Sequence, residues 1–75
     1  MDSKKGENMN KTIRITGREK EVIRLIANGH SNKEVADKLF ISIHTVKAYL
    51  EHIYEKLGIN NRVRLALWAY KNNII

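Results

Sequence analysis

Three histidines and eight carboxylates are the side chains of this sequence that could bind a metal ion or catalyse a reaction. His44 and His52 form the nearest histidine pair, but they are eight residues apart and fall on different sides of a helix, and His30 is isolated. The sequence has no cysteine, and no serine has a base within reach by sequence. We therefore expect no metal site, no cofactor and no enzymatic activity, and interpret the carboxylates as helix caps and exposed charges.

Positive charge is the second chemical feature of the chain. Fourteen Lys and Arg residues against eight Asp and Glu residues give a net charge of +6, and residues 13–75 carry +5 of it. A basic domain attracts polyanions, above all nucleic acid, although a solvated basic surface without a partner has the same composition.

Residues on one face of a predicted helix, 43–57, carry groups that match the edges of DNA bases. Val46 marks the buried face of this helix, and the residues roughly opposite it are exposed. Lys47 can donate to guanine O6 and N7, Ala48 can touch a thymine methyl group, and Glu51 can accept from cytosine N4. In the alternative interpretation, Lys47 is a solvated lysine on an exposed face, and Glu51 is a carboxylate that the phosphates repel. The predicted base contacts are His44, Lys47, Ala48 and Glu51.

The starts of the helices offer a second set of contacts, to the phosphates. Backbone N–H groups and the positive end of the helix dipole can bind a phosphate oxygen. Hydroxyl and cationic side chains nearby can strengthen that binding. Helix capping is the alternative role for Ser42, and solvation the alternative for Arg62. The predicted phosphate contacts are Asn32, Lys33, Ser42, Thr45 and Arg62.

Capping signals divide the chain into four helices. Serine, threonine or asparagine precedes each apolar run, twice with glutamate at the capping-box spacing, and Gly29 and Gly58 suit helix ends. The N-cap candidates are Thr16, Ser31, Ser42 and either Asn60 or Asn61. The predicted helices cover 17–28, a short segment from 32, 43–57 and a segment ending near 72–73. The fold class is therefore all-α, a four-helix bundle.

The second and third predicted helices have the spacing of a helix-turn-helix unit, whose second helix enters the DNA major groove. Ala36 is small where the two helices must approach closely, and Val46 is a branched apolar residue directed at the same crossing. An ordinary helical hairpin of a bundle needs the same residue types, so the spacing alone leaves both alternatives open.

The run from Thr16 to Arg62 resembles the C-terminal DNA-binding domain of LuxR-type (GerE-like) bacterial transcription regulators. The motifs that carry the resemblance are Arg18-Glu19, Ser31-Asn32-Lys33-Glu34-Val35-Ala36, Thr45-Val46-Lys47, Lys56-Leu57-Gly58 and Asn61-Arg62. The resemblance implies base contacts by residues that match Lys47, Ala48 and Glu51. Tyr49 departs from the family, which usually has histidine there, so a contact made by that histidine is in doubt.

A homodimer through the fourth helix is a further expectation. Four of its residues suffice to dock it on the other helices: Val63, Ala66, Leu67 and Tyr70. Leu65, Trp68 and Ala69 are then left without a core to enter and form the predicted dimer interface. The resemblance favours pairing on two half-sites related by a two-fold axis. In the alternative, Trp68 folds back over the segments 13–15 or 74–75.

These inferences combine into one predicted organisation. Residues 1–12 form a disordered N-terminal arm or linker, and residues 13–75 form the helix-turn-helix domain. We expect a cytoplasmic, nucleoid-associated transcription regulator that binds double-stranded DNA as a homodimer, contacts RNA polymerase and does not interact with a membrane. The alternatives are a C-terminal fragment of a larger response or quorum-sensing regulator, and a protein-interaction module that uses the same fold.

Overall fold

Four α-helices and their short connections make up the part of the chain that the computed structural model describes, residues 14–74. The helices are α1 (Gly17–Ala27), α2 (Asn32–Leu39), α3 (Ile43–Leu57) and α4 (Arg62–Lys71). The predicted all-α fold is confirmed. Helices α1, α3 and α4 start and end within a residue or two of their predicted bounds, and α2 starts at the predicted residue. The predicted arm, residues 1–12, lies outside the described residues.

Side-chain caps start all four helices, as the sequence predicts. Thr16 and Ser31 each form a complete capping box with the glutamate three residues on. Ser42 accepts from the backbone N–H of Thr45, and Asn61 from that of Arg64. Each cap satisfies a backbone donor that has no partner inside its helix, which fixes where the helix begins.

A residue with positive φ follows each of the four helices: Gly29, Phe40, Gly58 and Asn73. Gly58 has φ 67° after α3, which glycine adopts without strain. Phe40 has φ 59° after α2, in a conformation that costs a residue with a side chain roughly 1–2 kcal/mol. The turn of the helix-turn-helix unit therefore contains a strained, almost completely exposed phenylalanine.

A single apolar core joins the helices. Helix α1 contacts all three others, and α2 packs chiefly on α3. Ala36 and Val46 are both buried, as the predicted crossing requires. The other buried apolar residues are Val22, Ile23, Ile26, Val35, Leu50, Ile53, Leu65, Ala69 and Ile74. The α2–α3 pair is thereby held on α1, which fixes the angle at which α3 is presented.

The predicted orientation of α4 is wrong. Leu65 and Ala69 have no exposed surface and belong to the core, and Trp68 packs against it half-buried. The side chains expected to dock, Val63, Leu67 and Tyr70, are exposed instead. The reason lies outside the helix, because Ile15 and Ile74 supply apolar surface on the side where Trp68 lies.

Candidate nucleic-acid interface

The N-terminal half of α3 has one buried and one exposed face. Val46 and Leu50 enter the core, while all four predicted base contacts are exposed: His44, Lys47, Ala48 and Glu51. We call these four residues the recognition face. It combines one cationic donor, one small apolar group, one carboxylate and one imidazole within two turns, which is a set able to distinguish base edges in the major groove. The contacts themselves stay a prediction.

The start of α3 is organised by two hydroxyl groups. The Ser42 hydroxyl accepts from the Thr45 backbone N–H at 3.0 Å, and the two side-chain hydroxyls are also 3.0 Å apart. Both residues are exposed. Ser42 thus caps the helix, the alternative role considered for it, and Thr45 is held beside it where a phosphate oxygen could accept a hydrogen bond.

The start of α2 is capped in both directions. The Ser31 hydroxyl accepts from the Glu34 backbone N–H at 3.1 Å, and the Ser31 backbone N–H donates to Glu34 Oε1 at 2.8 Å. The backbone hydrogen bond from Ser31 lowers the pKa of Glu34, and His30 adds to the effect. Lys33 lies 3.3 Å from Asp37 in a highly exposed pair. Such a pair is weak, so Lys33 is free to exchange Asp37 for a phosphate.

Arg62 ties α4 to the start of α2. Its guanidinium donates through Nη1 to Asn32 Oδ1 and through Nη2 to the His30 carbonyl oxygen, both at 2.9 Å. The sequence predicts phosphate contacts for Arg62 and Asn32, and these stay predictions. The structure adds a positional role, because the two hydrogen bonds fix the loop from which α2 begins.

An ion pair not predicted from the sequence ties α3 to the start of α1. Lys56 Nζ lies 2.8 Å and 3.0 Å from the two carboxylate oxygens of Glu19 and 2.8 Å from the Arg14 carbonyl oxygen. Burial of Glu19 raises its pKa, but hydrogen bonds from Lys56 and Thr16 outweigh that effect and leave the pKa below its ordinary 4.5. No sequence signal marks this pair, because its partners are 37 residues apart.

The two predicted contact sets lie on the two helices of the helix-turn-helix unit. The starts of α2 and α3 are each capped, and one carries Lys33 while the other carries Thr45 and the recognition face. Clamps from Arg62 and Lys56 hold the loop before α2 and the last turn of α3. This arrangement presents charged and hydroxyl groups on rigid helices, which suits a large anionic partner better than a small ligand.

The predicted dimer residues do not form a surface. Leu65 and Ala69 are enclosed in the core, and Trp68 lines a cleft together with Ile15 and Ile74. The apolar side chains that α4 exposes are instead Val63, Leu67 and Tyr70. They follow one another at steps of four and three residues, so they lie along one stripe of the helix. We call them the α4 stripe.

No group of three or more His, Asp or Glu side chains within residues 14–74 is arranged to hold a metal ion. None of the helices in that range combines the length and the apolar character needed to cross a membrane.

Comparison with known proteins identifies relatives of the domain. The family model described as bacterial regulatory proteins, luxR family, matches residues 14–69. The chain is 40% identical over 70 residues to the transcriptional regulatory protein LiaR of Bacillus subtilis, and the match covers 93% of this chain and 33% of LiaR. It is 43% identical over 61 residues to the oxygen regulatory protein NreC of Staphylococcus aureus, covering 81% of this chain and 28% of NreC.

A solved structure gives the same result. The response regulator ChrA of a heme-sensing two-component system superposes with a TM-score of 0.77 at 42% sequence identity, covering 83% of this chain and 31% of ChrA. The chain thus spans about a third of the length of the relatives it matches.

Proposed function

The chain belongs to the luxR family of bacterial regulatory proteins and forms the helix-turn-helix DNA-binding domain of that family, and from this premise we propose that it binds specific DNA sequences as a homodimer with α3 in the major groove. The proposal rests on the recognition face of α3, whose four residues are all exposed: His44, Lys47, Ala48 and Glu51. No catalytic step forms part of it.

Base recognition is assigned to the recognition face. Lys47 donates to guanine O6 and N7, Ala48 meets a thymine methyl group and Glu51 accepts from a cytosine amino group. His44 lies one turn before Ala48 and completes the set. Because these groups differ in chemistry, they discriminate between bases rather than attracting DNA uniformly.

Backbone contacts are assigned to the starts of α2 and α3. The exposed side chains of Lys33, Thr45 and Ser42 contact phosphates there, together with Asn32. Arg62, which holds Asn32 in place, supports these contacts and approaches the same phosphate. Because residues 13–75 carry a net charge of +5, the domain gains much of its affinity for DNA from counterion release.

The homodimer forms through the α4 stripe. Val63, Leu67 and Tyr70 are each more than half exposed, and a contiguous apolar stripe of this kind is typical of a surface that pairs. A second copy related by a two-fold axis brings the same stripe against it, and each copy then binds one half-site.

Two biological settings fit this activity. The chain is either a small stand-alone regulator or the DNA-binding part of a longer response regulator, and its match to about a third of each relative is consistent with the longer protein. The length of the intact open reading frame decides between them. In either setting the regulator acts at the nucleoid in the cytoplasm, with RNA polymerase as a further partner.

The experiment that tests the proposal compares Lys47→Ala with Lys71→Ala, a variant that removes the same charge from the far end of α4. Binding sites are first selected from a random duplex library. Lys47→Ala should weaken binding to the selected site by about 1–3 kcal/mol. It should weaken binding to nonspecific DNA only by the share of one phosphate contact. Lys71→Ala should leave the preference for the selected site intact.

The salt dependence of binding is the second arm. Affinity should fall steeply between roughly 50 and 200 mM salt, with a log–log slope of about 0.9 for each neutralised phosphate. A flat salt dependence with no selected site contradicts DNA binding and favours a protein-interaction module. Equal losses of specific and nonspecific affinity in Lys47→Ala would make Lys47 a phosphate contact.

A further inference from the structure

The large apolar side chains exposed by the described residues gather in two places. Three of them form the α4 stripe, which the proposed homodimer covers. The other two are Phe40, in the turn before α3, and Ile43, the first residue of α3. The recognition face as predicted from the sequence includes neither of them.

Ile43 lies at the border between the buried face of α3 and the recognition face. At about 100° per residue, buried Leu50 is about 20° from it in one direction, while Lys47 is about 40° and Glu51 about 80° from it in the other. The Ile43 side chain is 41% exposed. It directly follows the N-cap Ser42, at the end of a recognition helix that contacts base edges in helix-turn-helix proteins.

We propose that Ile43 is a specificity-determining residue that packs against the C5-methyl group of a thymine in the major groove. The inference rests on the proposed function, because it needs α3 in that groove. An isoleucine side chain has no donor or acceptor, and the base groups displayed in the groove are donors and acceptors except for the thymine methyl group. Thymine is therefore the base whose edge loses no hydrogen bond when Ile43 covers its methyl group.

A single exposed isoleucine is ordinary on a protein surface, so the test removes the methyl group from the DNA. The purified full chain is used to select sites from a random duplex library. Each thymine of the selected site is then replaced, one at a time, by deoxyuridine, which lacks only the C5-methyl group. Binding is measured for the wild type, Ile43→Ala, Ile43→Val and the control Phe40→Ala, with circular dichroism to confirm that each variant is folded.

Besides the thymine assigned to Ala48, one further uracil position in each half-site should weaken wild-type binding about fourfold, the ratio expected from withdrawing one methyl group from water. The same replacement should leave Ile43→Ala unaffected. Ile43→Val, which keeps a branched side chain, should retain most of the difference in affinity between the thymine and uracil sites. Phe40→Ala should retain all of that difference.

Three results would overturn the assignment. Ile43→Ala could respond to every uracil as the wild type does, it could lose affinity equally for all sequences, or Phe40→Ala could abolish the uracil effect in its place. In each case a selected site still upholds the proposed function. If the wild type selects no site, the proposed function fails and the Ile43 contact fails with it.

Discussion

Leu65 and Leu67 provide a matched test of how α4 is oriented. The two leucines are neighbours in sequence, yet Leu65 has no exposed surface and Leu67 is 55% exposed. Truncating a buried leucine to alanine removes its transfer free energy and leaves a cavity, at a cost of about 2–5 kcal/mol. The same truncation at an exposed position usually changes stability by less than about 0.5 kcal/mol.

The assay is thermal and urea unfolding of Leu65→Ala and Leu67→Ala, followed by circular dichroism at a protein concentration low enough to avoid pairing. For a domain of 60–100 residues, 1 kcal/mol shifts Tm by about 4–8 °C. A loss of 2 kcal/mol in Leu65→Ala therefore lowers Tm by about 8–16 °C. Leu65→Met, which conserves volume, should cost less than about 1.5 kcal/mol and remain folded.

Sedimentation supplies the second half of the same test. Leu67→Glu should stay folded, lose the dimer at tens of micromolar and bind a two-half-site operator more weakly than the wild type, with little change on a single half-site. Equal destabilisation by the two alanine variants, or greater destabilisation at Leu67, would refute the orientation of α4 described above. An unchanged dimer in Leu67→Glu would refute pairing through the α4 stripe.

Four further predictions concern the helix ends. Lys56→Met should cost about 1–3 kcal/mol in urea unfolding, because it leaves the buried Glu19 carboxylate without its charged donor and with only the Thr16 backbone N–H, and Glu19→Gln in the same chain should restore part of the loss. Since the folded pKa of Glu19 is lowered, the pair stabilises the fold fully above pH about 4.5 and loses that effect as the pH falls through the folded pKa; a stability profile of Glu19→Gln as steep in acid as that of the wild type would contradict this. Arg62→Lys keeps the charge but cannot make both hydrogen bonds, to Asn32 Oδ1 and to the His30 carbonyl oxygen. Hydrogen exchange at the start of α2 should therefore become faster, whereas the control Arg64→Lys should leave it unchanged. Phe40→Gly should raise Tm by relieving left-handed strain of roughly 1–2 kcal/mol, less the entropy that glycine loses on folding, and a lower Tm would count against it.

Local spacing in the sequence determined where the helices lie. A capping oxygen needs only its own helix start, so Thr16 and Ser31 predicted both capping boxes from residues three positions apart. The buried face of α3 followed from its period for the same reason, and with it the exposure of Lys47 and Glu51. The family, too, was identifiable from short motifs, because those motifs encode the caps and the helix crossing.

Tertiary structure alone decided which groups pair across the fold. Apolar residues run almost all the way round α4, so its ten residues could not show which side docks. That choice depends on Ile15 and Ile74, which belong to segments outside the helix and cover the side with Trp68. The clamp of Lys56 on Glu19 likewise joins residues that only the packing of α3 on α1 brings within 2.8 Å. A helical period records only the neighbours along one helix, whereas these contacts depend on how separate segments meet in three dimensions.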